Sequence, residues 1–135
     1  MEKKTISLLL LHGSARKSAI EAASEMVETL SLQFSCSNFL VCFLRGAAPD
    51  LVTAMHDAVS LGAHKIQLIP LLILPGTHID EDIPVEVAAF KTKHPEIEVE
   101  INSCLVKDSD FLNLIAAKLH PWTAIKERAE KQDSL

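Results

Sequence analysis

Pro70-Leu71-Leu72-Ile73-Leu74-Pro75-Gly76-Thr77-His78-Ile79-Asp80-Glu81-Asp82-Ile83-Pro84 is the stretch that decides the fold of this 135-residue chain. The apolar run Lys65–Leu72 ends inside it, a short loop follows, and the loop presents one histidine before Asp82 and Pro84 open a helix. The same device occurs near the N-terminus, where Thr5–Leu11 runs into His12-Gly13-Ser14. Both runs are short and continuously apolar, which predicts strands buried on both faces.

Working outward, Ile20, Ala23, Val27 and Leu30 recur at helical spacing within Ser18–Leu32, and Asn38–Leu44 reads as another strand. Pro49 opens a helix whose buried side is Leu51, Val52, Met55, Ala58 and Val59, and Gly62 ends it. Ile83–Lys93 is a helix. Glu96–Cys104 alternates Ile97, Val99 and Ile101 with Glu96, Glu98 and Glu100, the pattern of an edge strand with one wet face. Asp108 or Ser109 caps a helix reaching Leu119. The reading divides the chain into one α/β domain, residues 1–120, and a charged C-terminal tail, residues 121–135, with room for a last helix at Thr123–Gln132.

Strict alternation of strand and helix predicts a four-stranded, mainly parallel, flavodoxin-like sheet with flanking helices. In the order 2-1-3-4, strands one and three are neighbours, about 5 Å apart. His12 and His78, 66 positions apart in the chain, then meet beyond the C-terminal strand ends, where ligands of such sheets sit.

Composition narrows the function. A formal net charge of −5 argues against binding nucleic acid by phosphate neutralisation, and a chain with no tyrosine and one tryptophan makes a poor base-stacking platform. No apolar run approaches the roughly 18–20 residues that span a bilayer, and no cleavable signal pattern is found, so the expectation is a cytoplasmic protein without membrane association. The three cysteines, Cys36, Cys42 and Cys104, are odd in number and lack metal-ligand spacing, which suits reduced, buried thiols.

Two neutral imidazoles suit a first-row divalent ion. Alone they leave coordination positions open, which is poor for a structural metal and good for an ion that is handed on. Gly13 and Gly76 beside them leave room for a large flat ligand against the backbone. Competing motifs are incomplete: no G-x-S-x-G elbow accompanies His12-Gly13, and Gly13-Ser14-Ala15-Arg16-Lys17-Ser18 lacks the spacing of a phosphate loop. His56, His64, His94 and His120 read as surface or turn residues, and Asp80-Glu81-Asp82 as a helix N-terminal charge cluster from which one carboxylate can serve His78 as proton relay.

Leu10-Leu11-His12-Gly13-Ser14, the Phe43-Leu44 strand end with Pro49, Gly62-Ala63, and Pro70-Leu71-Leu72 through Gly76-Thr77-His78 to Asp82-Ile83-Pro84 together resemble the small sirohydrochlorin cobaltochelatases of the CbiX family, within the class II tetrapyrrole chelatases. The resemblance implies that His12 and His78 bind the incoming metal and carry the catalysis. It implies that Gly13, Ser14, Arg45, Ala48 and the loop Ile73, Leu74, Pro75, Gly76 and Thr77 contact the tetrapyrrole. It further implies a homodimer that inserts Co²⁺, Fe²⁺ or Ni²⁺ into sirohydrochlorin for cobalamin, siroheme or a related product, without ATP and without a tightly bound cofactor. The family carries glutamates where this chain has Arg45 and Ala48. Arginine accepts no proton but can grip a substrate carboxylate, with Arg16 and Lys17 as helpers. Two readings follow: an active chelatase in which the two histidines suffice, or a non-catalytic carrier of tetrapyrrole or metal on the same fold.

Overall fold

The computed structural model describes residues 3–34 and 38–119. The strands β1 (Thr5–Leu11), β2 (Phe39–Phe43), β3 (Lys65–Pro70) and β4 (Glu98–Ile101) form a single sheet in the order β2-β1-β3-β4. Every pairing is parallel, as the alternating pattern requires. Four helices connect or follow them: α1 (Lys17–Ser31), α2 (Leu51–Ser60), α3 (Ile83–Lys93) and α4 (Ser109–Lys118). Cys36 and the expected tail helix at Thr123–Gln132 lie outside the described residues.

The two sheet faces are covered unequally. Ile6, Leu8 and Leu10 of β1, Cys42 of β2, and Ile66 and Leu68 of β3 point to one face, where Leu51, Ala54, Met55 and Ala58 of α2 and Ile83, Val87 and Phe90 of α3 close over them. Removing that much apolar surface from water, at about 25 cal/mol per Å², is the main stabilising contribution. The opposite face carries Ser7, Leu9, Gln67 and Ile69, and a polar chain crosses it: Ser7 Oγ donates to Gln67 Oε1, and Gln67 Nε2 donates to Asn102 Oδ1. Helix α1 lies on this side without one fully buried residue, so the stripe of Ile20, Ala23, Val27 and Leu30 expected from its spacing faces clefts instead of a sealed core.

Local corrections to the sequence reading have simple causes. Asp50, not Pro49, starts α2: its Oδ1 accepts the Thr53 backbone N–H at 2.8 Å. Val52 turns outward, 41% exposed, and Ala54 is buried, because the i, i+3, i+4, i+7 face through Leu51, Met55 and Ala58 takes in position 54 and not 52. The last strand is four residues long, and Ile97 is buried before the strand begins. Asp108 is the α4 cap, accepting from the N–H groups of Asp110 and Phe111. Cys42 and Cys104 are free and buried. Burial first, then Asp50 and Glu86, push the Cys42 thiol up to about 12.

Gly13 (φ +92°) is where the loop after β1 meets the loop after β2, and a Cβ there would stand 1.8 Å from the Arg45 carbonyl oxygen. The room that a glycine leaves at this position is therefore filled by the chain's own backbone and not by a ligand. Leu44 N–H to Leu11 C=O (3.0 Å) and Arg45 N–H to His12 C=O (3.1 Å) complete the clamp.

The Asp50 carboxyl is held below its ordinary range by the Thr53 backbone N–H and then by the Thr53 hydroxyl. A carboxyl lowered in the folded state stabilises above its unfolded pKa and loses that contribution as pH falls through the folded value. Asp50→Ala should cost about 1 kcal/mol at neutral pH. The difference from the unsubstituted chain should shrink in acid, below about pH 4. Urea unfolding of both chains at pH 7 and pH 3 checks this; an unchanged difference at pH 3 would exclude an ionised cap.

Candidate functional site

Three chain segments converge beyond the C-terminal ends of β1, β2 and β3. The ladder between β1 and β3 ends at Leu10 opposite Pro70, and the Leu71 N–H donates to the Leu10 carbonyl at 2.7 Å. Two residues after Leu10, His12 leaves the strand exposed to solvent, with Nδ1 3.3 Å from the Gly13 carbonyl. After Leu71, an exposed loop reaches a π-helical turn, His78–Asp82, that runs directly into α3. Such wide turns are rare and concentrate at functional sites. Here the turn points His78 back toward β1: the His12 and His78 ring centres are 6.0 Å apart, edge to face at 78°.

Both nitrogens of His78 have partners. Nδ1 lies 2.8 Å from Asp82 Oδ2, and Nε2 lies 2.8 Å from Arg45 Nη2. A guanidinium has only N–H groups to offer, so it donates and His78 Nε2 accepts. The ring proton is then on Nδ1 and is donated to Asp82. Asp82 was expected to cap α3; its backbone is helical and its side chain makes no cap bond. Its carboxylate instead orients the His78 ring through Nδ1, as carboxylates behind metal-binding imidazoles do.

Glu86, one turn further along α3 and half-buried, adds a residue that the sequence reading missed. Its pKa is raised by burial first, then by Asp50 and Asp82. The spacing His78, Asp82, Glu86, four residues at each step, was the available signal.

The expected substrate contacts divide between two adjoining clefts and a loop. Leu11, His12, Gly13, Ser14, Phe43 and Leu71, with α1, line a cleft of about 270 Å³. Ala48 lies in the next cleft, about 500 Å³, and Ile20, Ala23 and Phe43 border both. Ser14 Oγ accepts the Arg16 backbone N–H, so that hydroxyl is engaged in starting α1. Ile73, Leu74, Pro75, Gly76 and Thr77 form an exposed lip whose base is fixed by Leu105 N–H to Leu72 C=O and Val106 N–H to Ile73 C=O. Ile73 and Leu74 are 56% and 66% exposed, a high cost for side chains that meet only water. A Cβ on Gly76 would meet no atom within 4 Å, leaving the backbone open to approach. Arg16 and Lys17 are exposed, and Lys17 Nζ lies 3.9 Å from Glu21.

The remaining described histidines lie apart from this pair. His56 and His94 pack around Phe90, with His94 at the far end of α3 from His78. His64 is exposed, and its Nδ1 accepts the Lys4 backbone N–H. Among the described residues no set of three His, Cys, Asp or Glu converges to close a metal shell. An ion held by His12 and His78 would thus keep open positions. A further cleft of about 780 Å³, lined by Lys3, Lys4, Leu30, Phe34 and Phe39 among others, lies at the opposite, N-terminal ends of the strands. No described helix is long and apolar enough to cross a membrane.

Comparison with known proteins places the chain in a family. Sirohydrochlorin ferrochelatase of Priestia megaterium is 26% identical over 113 residues, covering 84% of this chain and 42% of that protein. Sirohydrochlorin cobaltochelatase of Saccharolobus islandicus is 38% identical over 77 residues, 57% of this chain and 59% of that protein. The chain thus spans about two fifths to three fifths of these curated relatives. The crystal structure of the sirohydrochlorin chelatase SirB from Bacillus subtilis subspecies spizizenii, in complex with cobalt, superposes with a TM-score of 0.69 at 29% identity, over 76% of this chain and 44% of that one. The CbiX family model matches residues 7–121, which takes in most of β1, all of β2, β3 and β4, and both histidine loops, and the chain belongs to the CbiX family.

Proposed function

We propose that this protein inserts a divalent metal ion, cobalt, iron or nickel, into sirohydrochlorin or a closely related tetrapyrrole, without ATP. The observation that carries this reading is the pair of imidazoles whose ring centres stand 6.0 Å apart beyond the strand ends, with His12 lining an apolar cleft beside them. The names of the relatives support the same substrate class, with iron and cobalt both represented.

The reaction exchanges two pyrrole N–H protons for one M²⁺. His12 and His78 would hold the ion at the strand ends and displace part of its water shell. Asp82 keeps His78 oriented. Glu86, whose pKa burial raises, is a further carboxyl on the α3 side of His78 that could take up a released proton. The exposed Ile73–Thr77 lip and the cleft along α1 offer apolar surface for the macrocycle, while Arg45 offers a guanidinium to its carboxylates. Leu112, Leu114 and Ile115 of α4, exposed together, supply an apolar surface on which a second copy of the chain could dock.

A second reading keeps the fold and drops the catalysis: a carrier of tetrapyrrole or metal. It is favoured by Arg45, which sits on the His78 lone pair where the family has a carboxylate nearby. Absorbance of sirohydrochlorin with Co²⁺, with and without the protein, separates the two. A chelatase accelerates conversion to the metallated spectrum; a carrier shifts the spectrum of the free tetrapyrrole and accelerates nothing.

In the same assay His78→Ala and His12→Ala should each slow insertion on the order of 10²- to 10⁴-fold, the range for losing a group that moves protons or holds the reacting ion. Asp82→Ala should cost about 10- to 100-fold. Asp82→Asn should recover part of this, since its amide oxygen still accepts the Nδ1–H without the charge. Equal loss in the Asn and Ala variants would show that the charge, and not the orientation, is what His78 needs.

A further inference from the structure

We propose that Arg45 is a latch on His78: in the free protein its guanidinium occupies the Nε2 lone pair, and a carboxylate of the incoming tetrapyrrole draws it away, so that tetrapyrrole binding precedes metal binding. This rests on the chelatase reading and adds an order of events to it.

The contact is direct, 2.8 Å from Nη2 to Nε2. The imidazole has one lone pair once Asp82 holds the Nδ1 proton, and one lone pair cannot serve an N–H donor and a metal ion together. Arginine does not deprotonate in proteins, so the latch cannot open by losing its proton. An approaching dication is also repelled by the guanidinium.

The backbone of Arg45 is fixed, by its N–H on the His12 carbonyl and by the Gly13 contact on its own carbonyl oxygen. Its side chain is exposed. The residue is therefore anchored at the root and free to swing at the tip. A carboxylate takes two parallel N–H bonds from a guanidinium, with charge assistance, whereas His78 takes one from it as a neutral acceptor. A polycarboxylate macrocycle entering beside Arg45 thus offers a better partner and releases Nε2 as it binds. The same movement turns the residue from a metal excluder into a substrate anchor.

Opposite effects on the two substrates test this. Co²⁺ titrated into the protein without tetrapyrrole, followed by calorimetry, should bind Arg45→Ala at least tenfold more tightly than the unsubstituted chain. In the insertion assay the same variant should show a KM for sirohydrochlorin raised by about tenfold. Order of mixing supplies an independent readout. The unsubstituted protein preincubated with sirohydrochlorin should start faster than protein preincubated with Co²⁺, and Arg45→Ala should lose the difference. Should Arg45→Ala misfold and lose both affinities, the order of mixing in the unsubstituted protein decides: no advantage for preincubation with sirohydrochlorin overturns the latch. If the unsubstituted protein inserts cobalt but binds Co²⁺ as tightly as Arg45→Ala, the latch is wrong and the chelatase reading stands. If neither chain binds or inserts Co²⁺, Fe²⁺ or Ni²⁺, both fall.

Discussion

The parallel ladder between β1 and β3 is the constraint on which the rest of this structure depends. It pairs Leu10 with Pro70 and continues through the Leu71 N–H to the Leu10 carbonyl, so the chain leaves both strands at the same level. Everything that brings His12 near His78 follows from that register. A slip of one residue would turn Leu8 and Leu10 away from α2 and α3 and expose the main core, so burial itself fixes where the two imidazoles stand. The site inherits its geometry from the most strongly buried part of the molecule.

Around this frame the loops divide the work. The β2 loop is locked to the β1 loop through Gly13, the only kind of residue that lets the Arg45 carbonyl approach so closely. The turn before α3 is wide, which aims His78 across the gap and leaves Asp82 one turn behind it. The Ile73–Thr77 lip is anchored only at its base. Rigid imidazoles beside an exposed lip are what a large ligand and a transient ion require: the ion needs fixed donors, the ligand needs an entrance.

The four strands and their parallel pairing were legible in the sequence because they follow from apolar runs and strand alternation, the strongest periodic signals in the chain; the meeting of the two distant histidines followed once the order 2-1-3-4 was assumed, and the sheet has that order. Side-chain partnerships within the site were not. Asp82 looks like a helix cap because it precedes Ile83-Pro84, yet the helical turn begins earlier and its carboxylate goes to His78. Pro49 looks like a first helical residue, yet Asp50 makes the capping bond, and the buried stripe through Leu51, Met55 and Ala58 takes in Ala54 and not Val52. Arg45 was expected to face the substrate; its contact with His78 depends on the path of two loops, which no local pattern encodes. The apolar spacing of α1 was read correctly as a helix and incorrectly as a sealed core face, since periodicity reports which residues share a face and not what covers it.

The charge arrangement explains how an arginine can stand where a carboxylate is the family habit. A pair of neutral imidazoles that receives a dication gains two positive charges, and nearby anions offset them. Here Asp82 and Glu86 supply that negative charge from α3, on the far side of His78 from Arg45. Burial first, then Asp50 and Asp82, disfavour ionisation of Glu86, so a cation beside this cluster is favoured. In the free protein the guanidinium of Arg45 is that cation, at one nitrogen of His78. In the proposed reaction the metal takes its place, and the carboxylates of the macrocycle take up the guanidinium. On this account the departure at position 45 moves the compensating anion from the protein to the substrate.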